Sequence, residues 1–122
     1  MLRLVVPKGS LEKSTLELFA DADLSIIRAS TVDYKGNIKD PRIDSVRVLR
    51  PQEIGSYVAD GLFDIGITGR DWIEETQSRV QTLCELHYSK NTARPVNIVV
   101  AVPEESQWSN VEDLPQGVKV ST

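Results

Sequence analysis

The chain has 122 residues, 40% of them hydrophobic and 26% charged, and its 14 Lys+Arg against 18 Asp+Glu leave a net charge of -4. That size suits one domain with a core hiding roughly two-thirds of the unfolded surface, and the apolar fraction excludes a disordered chain. The longest apolar run, Ile98 to Pro103, falls far short of the ~20 residues of a bilayer span. An acidic balance speaks against a general nucleic-acid binder but leaves room for small anionic ligands in a local positive pocket.

The single cysteine, Cys84, excludes an internal disulfide, and with the single histidine, His87, it cannot make a zinc site; neither HExxH nor CxxC occurs. No motif around any serine supports a hydrolase triad using His87. The first residues lack a secretory leader's apolar stretch and cleavage site, so a cytoplasmic location is expected.

Leu2 to Val6 is a short β-branched run ending at Pro7-Lys8-Gly9, which predicts a strand entering a tight loop. Ser10 stands where an N-cap belongs, with Glu12 in the first turn. Leu11, Leu18, Phe19 and Ala22 recur at helical spacing and predict an amphipathic helix over 11–22. Leu24 to Ala29 is a second strand candidate. Thr31 to Arg42, with Lys35-Gly36-Asn37 and Asp40-Pro41, reads as a turn or hairpin tip. Ser45 to Leu49 alternates as a strand. Pro51 after Arg50 opens a helix with Ile54, Tyr57 and Val58 as its apolar stripe, and Gly61 follows at C′. Leu62 to Ile67 predicts a strand, Thr68-Gly69-Arg70-Asp71 a loop, and Trp72 to Thr76 a helix. Val80 to Leu86, Val96 to Val102 and Val118 to Val120 are further strand candidates, and Asn110 to Leu114 a helical turn.

Strand, loop, helix in alternation predicts an α/β fold: a parallel or mixed sheet with helices on both faces. The chain stops at Ser121-Thr122, just after a strand begins, so a fragment of something longer is expected.

In open α/β sheets, ligands bind beyond the carboxyl ends of the strands. Three loops belong to that edge: Pro7-Lys8-Gly9-Ser10, Arg50-Pro51 and Thr68-Gly69-Arg70-Asp71. Each carries a cation and opens a helix, whose first N–H groups are free. Gly9 and Gly69 permit close approach to the backbone, and Ser10 and Thr68 add hydroxyls. The expectation is an anion-binding crevice, with phosphate as its natural occupant. Taken singly, the same residues also read as solvated charges and tight-turn glycines. Asp64 reads as a strand-edge residue tying down a loop, with a ligand contact as the alternative. Trp72 and Tyr57 read as core, and Cys84 and His87 as bystanders.

The segments RLVVPKGSL (3–11) and DPRIDSVRVLRPQEIGSYVADGLFDIGITGRD (40–71) resemble the ATP phosphoribosyltransferases, and IVVAVPE (98–104) and EDLPQGVKVST (112–122) continue the likeness more loosely. RPQEI, YVADG and DIGITGRD in that order carry most of its weight. The resemblance implies transfer of the phosphoribosyl group of phosphoribosyl pyrophosphate to N1 of ATP, the first step of histidine biosynthesis, with release of pyrophosphate and with Mg2+ as cofactor. It implies a fold similar to type II periplasmic binding proteins, with residues 1–92 as the first lobe and 93–122 beginning the second, and self-association into a homo-oligomer.

Carried over by position, Lys8, Gly9 and Ser10 match the family's first loop, Arg50 its arginine before proline, and Thr68, Gly69, Arg70 and Asp71 the loop after its DIGITG strand. Lys8 and Arg50 are expected to contact phosphate, and Asp71 the nucleotide. No catalytic residue and no metal ligand is assigned. Ser10 stands where many members carry arginine, and residues 87–97 lack the glycine-containing pattern common there. The family's pyrophosphate-binding loop lies beyond Thr122, so the chain alone is expected to be inactive. The alternative is a non-catalytic small-anion or nucleotide-binding module of periplasmic-binding-protein type.

Overall fold

A computed structural model describes residues 1–87 and 99–121. The chain forms two compact units, Met1–Lys90 and Asn91–Thr122; the expected lobe boundary at 92/93 lies outside the described residues.

In the first unit, strand β1 spans Leu2–Pro7, helix α1 Glu12–Asp21, β2 Lys35–Gly36 and β3 Ile43–Leu49; helix α2 spans Pro51–Ala59, β4 Ile65–Gly66 and α3 Arg70–Glu75. The strands form one mixed sheet in the order β2-β3-β1-β4. β1 runs parallel to both β3 and β4, and β2 pairs antiparallel with β3.

The pleat sends alternate residues to opposite faces. Leu4 and Val6 of β1 join Val46 and Val48 of β3 and Ile38 in a fully buried cluster, against which Phe19 of α1 packs. Val5 points the other way. There it meets α2 beside Gly66, where an added Cβ would stand 2.6 Å from Ile54 Cγ2, 3.0 Å from Val5 Cγ1 and 3.1 Å from Val58 Cγ2. Only glycine lets α2 approach β4 so closely. The helices therefore cover opposite faces, as the alternation of elements predicts. α2 leaves the outer face of β3 beside an open groove of about 480 Å³, bordered by Arg3, Arg47, Tyr57 and Phe63.

The two crossovers explain the strand order. β1 reaches β3 by way of α1, and β3 returns past β1 to β4 by way of α2. Neighbouring strands β1 and β3 thus send their following loops to opposite faces. In open α/β sheets such a divergence is where a crevice forms, at the strands' carboxyl ends.

Several sequence expectations need correction. Ser10 does not cap a helix: it lies inside a 3-10 turn, Gly9–Leu11, and α1 starts at Glu12 with no side-chain cap. The residue of α1 most deeply buried is Thr15, whose hydroxyl is satisfied by the Leu11 carbonyl at 2.7 Å. Leu24 to Ala29 is no strand; only Ile27 pairs, in a bridge with Asn37. Its alternation reflects Leu24 and Ile26 packing against the core from a segment without a ladder. The turn over 31–42 does contain a hairpin strand, β2. Of Leu62 to Ile67 only Ile65–Gly66 forms a ladder, and the helix expected over Trp72 to Thr76 runs from Arg70 to Glu75.

Val80 to Leu86 forms no strand and lies largely exposed. In the second unit, residues 99–102 and Val118 to Val120 form none either; residues 96–98 lie outside the described ones. A strand exists only by pairing, and no partner strand stands beside these segments among the described residues. Val99, Val100 and Val120 are accordingly 69–75% exposed. The helical turn expected near Asn110 is a 3-10 turn, Val111–Asp113, with a capping box between Asn110 and Asp113.

Candidate functional site

Two hydrogen bonds, one of them from a side chain, join the loops at the ends of three parallel strands. The N–H of Lys8 donates to the carbonyl of Leu49 at 2.7 Å, tying the loop after β1 to the end of β3. The hydroxyl of Thr68 donates to the carbonyl of Pro51 at 2.6 Å, tying the loop after β4 to the start of α2. Arg50 lies in sequence between those two anchored carbonyls. The fold thus brings the loops of Lys8, Arg50 and Thr68 to one sheet edge, although 60 positions separate Lys8 from Thr68.

Lys8 and Arg50 keep their charges available. Among the described residues neither makes a side-chain hydrogen bond or ion pair; the Lys8 ammonium instead lies over the Tyr34 ring, 4.4 Å from its centroid. Gly9 takes φ +84°, a conformation that glycine adopts without strain, and its N–H donates to Glu12 Oε2 at 3.4 Å. Ser10 is exposed on the turn. Gly69 precedes α3 with ordinary extended φ, and the exposed Asp71 carboxylate folds back over it into the space a Cβ would fill. Arg70 differs from the other two cations: it reaches Glu74 at 3.2 Å and Glu85 at 3.4 Å. Its charge is answered by carboxylates on the protein itself.

At the opposite end of β1, Asp64 has the structural part its alternation implies. Both its oxygens take hydrogen bonds from the Arg3 guanidinium, at 2.8 and 3.0 Å, and one also takes the Arg3 backbone N–H at 2.8 Å. These bonds hold its carboxyl well below the usual carboxylate range.

Two features escaped the sequence reading. Tyr34 lies inside the stretch 31–42, expected to be a turn or hairpin tip, and the sequence assigns it no role. Arg28, with its side chain 9% exposed, forms a 2.6 Å ion pair with Glu12. Neither spacing nor composition signals a pair sixteen residues apart.

As to metal, no group of three or more His, Cys, Asp or Glu among the described residues is placed to hold an ion. These residues supply no protein cage for Mg2+. Nor, among the described residues, is any helix long and apolar enough to cross a membrane.

A four-stranded mixed sheet with helices on both faces and a crevice at its parallel carboxyl edge defines an α/β lobe of the periplasmic-binding-protein kind. The sequence pattern of the family described as ATP phosphoribosyltransferase matches residues 50–122. The ATP phosphoribosyltransferase of Chlorobaculum parvum is 44% identical over all 122 residues, and that of Solibacter usitatus 43% identical over 114. A solved ATP phosphoribosyl transferase complex from Thermotoga maritima superimposes with TM-score 0.54 at 26% identity, over 66% of this chain and 38% of that one. The chain belongs to the ATP phosphoribosyltransferase family. It spans about 40% of the length of the Chlorobaculum relative.

Proposed function

We propose that this chain contributes the nucleotide- and phosphate-binding edge of an enzyme that transfers the phosphoribosyl group of phosphoribosyl pyrophosphate to N1 of ATP. Adenine N1 forms a bond to C1′ of the ribose as the C1′–O bond breaks, and pyrophosphate leaves with the electron pair. N1 carries a lone pair and needs no deprotonation before attack. The developing charges sit on the sugar and on the departing pyrophosphate, and fixed cations aimed at the latter lower the barrier.

The observation that carries this reading is the joining of three loops at one edge through the Lys8–Leu49 and Thr68–Pro51 bonds. Lys8 and Arg50 would hold phosphate oxygens, with Gly9 and Ser10 shaping the loop between. Thr68 and Gly69 would set the opposite wall, and Asp71 would accept a hydrogen bond from the nucleotide. Arg70 is a further cation of the edge, already paired with Glu74 and Glu85. Among the described residues no three acidic, cysteine or imidazole side chains converge to cage Mg2+.

The chain alone is proposed to lack the pyrophosphate-binding half of the site and to be inactive, its whole gene product being a cytoplasmic, self-associating enzyme. Residues 1–92 would be its first lobe and 93–122 the start of its second. The test mixes the whole gene product, and separately this chain, with ATP, phosphoribosyl pyrophosphate and Mg2+. Phosphoribosyl-ATP is expected from the first only, reversed by added pyrophosphate. Absence of product from the whole protein would refute the assignment, and turnover by the chain alone would refute its incompleteness.

A further inference from the structure

We infer that Tyr34 is a positioning residue of this site, holding the Lys8 ammonium in place for an incoming phosphate. The inference rests on the reading of Lys8 as a phosphate contact. A lysine in a glycine loop is ordinarily mobile, and fixing its four-carbon stem costs rotamer entropy. Here the ammonium lies 4.4 Å from the Tyr34 ring centroid, within the range of a cation–π attraction. The ring covers one side of the ammonium. The N–H groups on its other side remain free to donate to a phosphate without leaving the ring.

Tyr34 is itself fixed to the site by two connections. Its carbonyl accepts the N–H of Val48 at 2.9 Å, next to the end of β3 where Lys8 is anchored. The carbonyl of the preceding residue, Asp33, accepts Arg28 Nη1 at 3.2 Å. Arg28 in turn pairs with Glu12, and Glu12 accepts the N–H of Gly9. The result is a closed circuit: Gly9 to Glu12, Glu12 to Arg28, Arg28 to Asp33, and the Tyr34 ring back to Lys8. The residue is meanwhile 54% exposed, so its place is set by these bonds to the backbone and not by core packing. Burial gives no reason for an aromatic here, whereas holding the cation does.

A double-mutant cycle on the whole gene product, read as calorimetric ATP affinity, tests this. Tyr34→Leu should weaken binding about two- to fivefold, the worth of an exposed cation–π contact, with the melting temperature unchanged. Tyr34→Phe keeps the ring face and should rescue the loss. In a Lys8→Met background, Tyr34→Leu should have no further effect. Equal or tighter binding by Tyr34→Leu, or the same loss in the Lys8→Met background, would overturn the inference while leaving the site reading intact; no ATP binding by the unmodified protein would overturn the reading itself. An arm needing no variant is the NMR position of the Lys8 ε-methylene protons. Upfield ring-current shifts are expected, and random-coil values would overturn the placement.

Discussion

Arg50→Ala is the sharpest probe of the crevice. Among the described residues the Arg50 side chain makes no hydrogen bond or ion pair, and the residue is exposed. Its removal therefore breaks no hydrogen bond or ion pair among the described residues. Its backbone φ of -63° and ψ of 133° is the extended conformation that a residue before proline adopts, and alanine reaches it equally well. The structural cost should fall within the ±0.5 kcal/mol of an ordinary surface substitution. If the guanidinium holds a phosphate, the substitution forfeits a charged hydrogen bond worth about 1.5–3 kcal/mol. That energy is about a ten- to hundredfold loss of affinity. Calorimetric titration with ATP and with phosphoribosyl pyrophosphate reads the loss, and a thermal melt reads the structural cost. A melt lowered by many degrees with affinity intact would show that Arg50 is a packing residue and that the crevice has been misread.

Gly66→Ala should destabilise by about 1–3 kcal/mol, since the new methyl would stand 2.6 Å from Ile54 Cγ2 with branched, packed neighbours around it; urea unfolding measures this, and an unchanged midpoint would mean that α2 can retreat. Thr68→Val removes the 2.6 Å bond to the Pro51 carbonyl and should cost about 1 kcal/mol in the same assay while loosening the loop after β4; unaltered stability and ATP affinity together would count against that bond as a strut of the site. Acid should reveal two of the carboxylate–guanidinium pairs. The Arg42 guanidinium and backbone N–H push the Asp40 carboxyl down to about 2 from an ordinary 3.8, and the Arg3 guanidinium lowers Asp64 likewise. A lowered folded-state value gives stability that is present above the unfolded value and lost as pH falls through the folded one. Melting temperature should therefore decline from about pH 4 downward, and less steeply in Asp40→Asn, where that linkage is gone; parallel declines in the two proteins would refute the coupling.

How much of this was readable before folding depends on the range of the interaction. β1, β3 and α2 were legible because their signals are local: β-branched alternation, Pro51 at a helix start, and Gly61 at φ +73° just past its end. The three-loop edge was legible too, as each loop follows a strand and the strands proved parallel. The failures share one cause. Leu24 to Ala29, Val80 to Leu86 and Val118 to Val120 carry strand-like residues, but a ladder also needs a neighbour, and a neighbour is not a property of the segment itself.

The amino-acid order by itself determined which chemistry was on offer: a net acidic α/β chain with cations and glycines in its strand-to-helix loops, and a lettering that belongs to one enzyme family. Only the tertiary structure decided how those cations are used. Chain crossover on both faces drew Lys8 and Arg50 to neighbouring strand ends. Contact with Glu74 and Glu85 paired Arg70, and Tyr34 came under Lys8. Charge is written into each residue, but whether it is free, paired or held against a ring depends on what lies a few ångströms away, and that is settled by packing between distant segments.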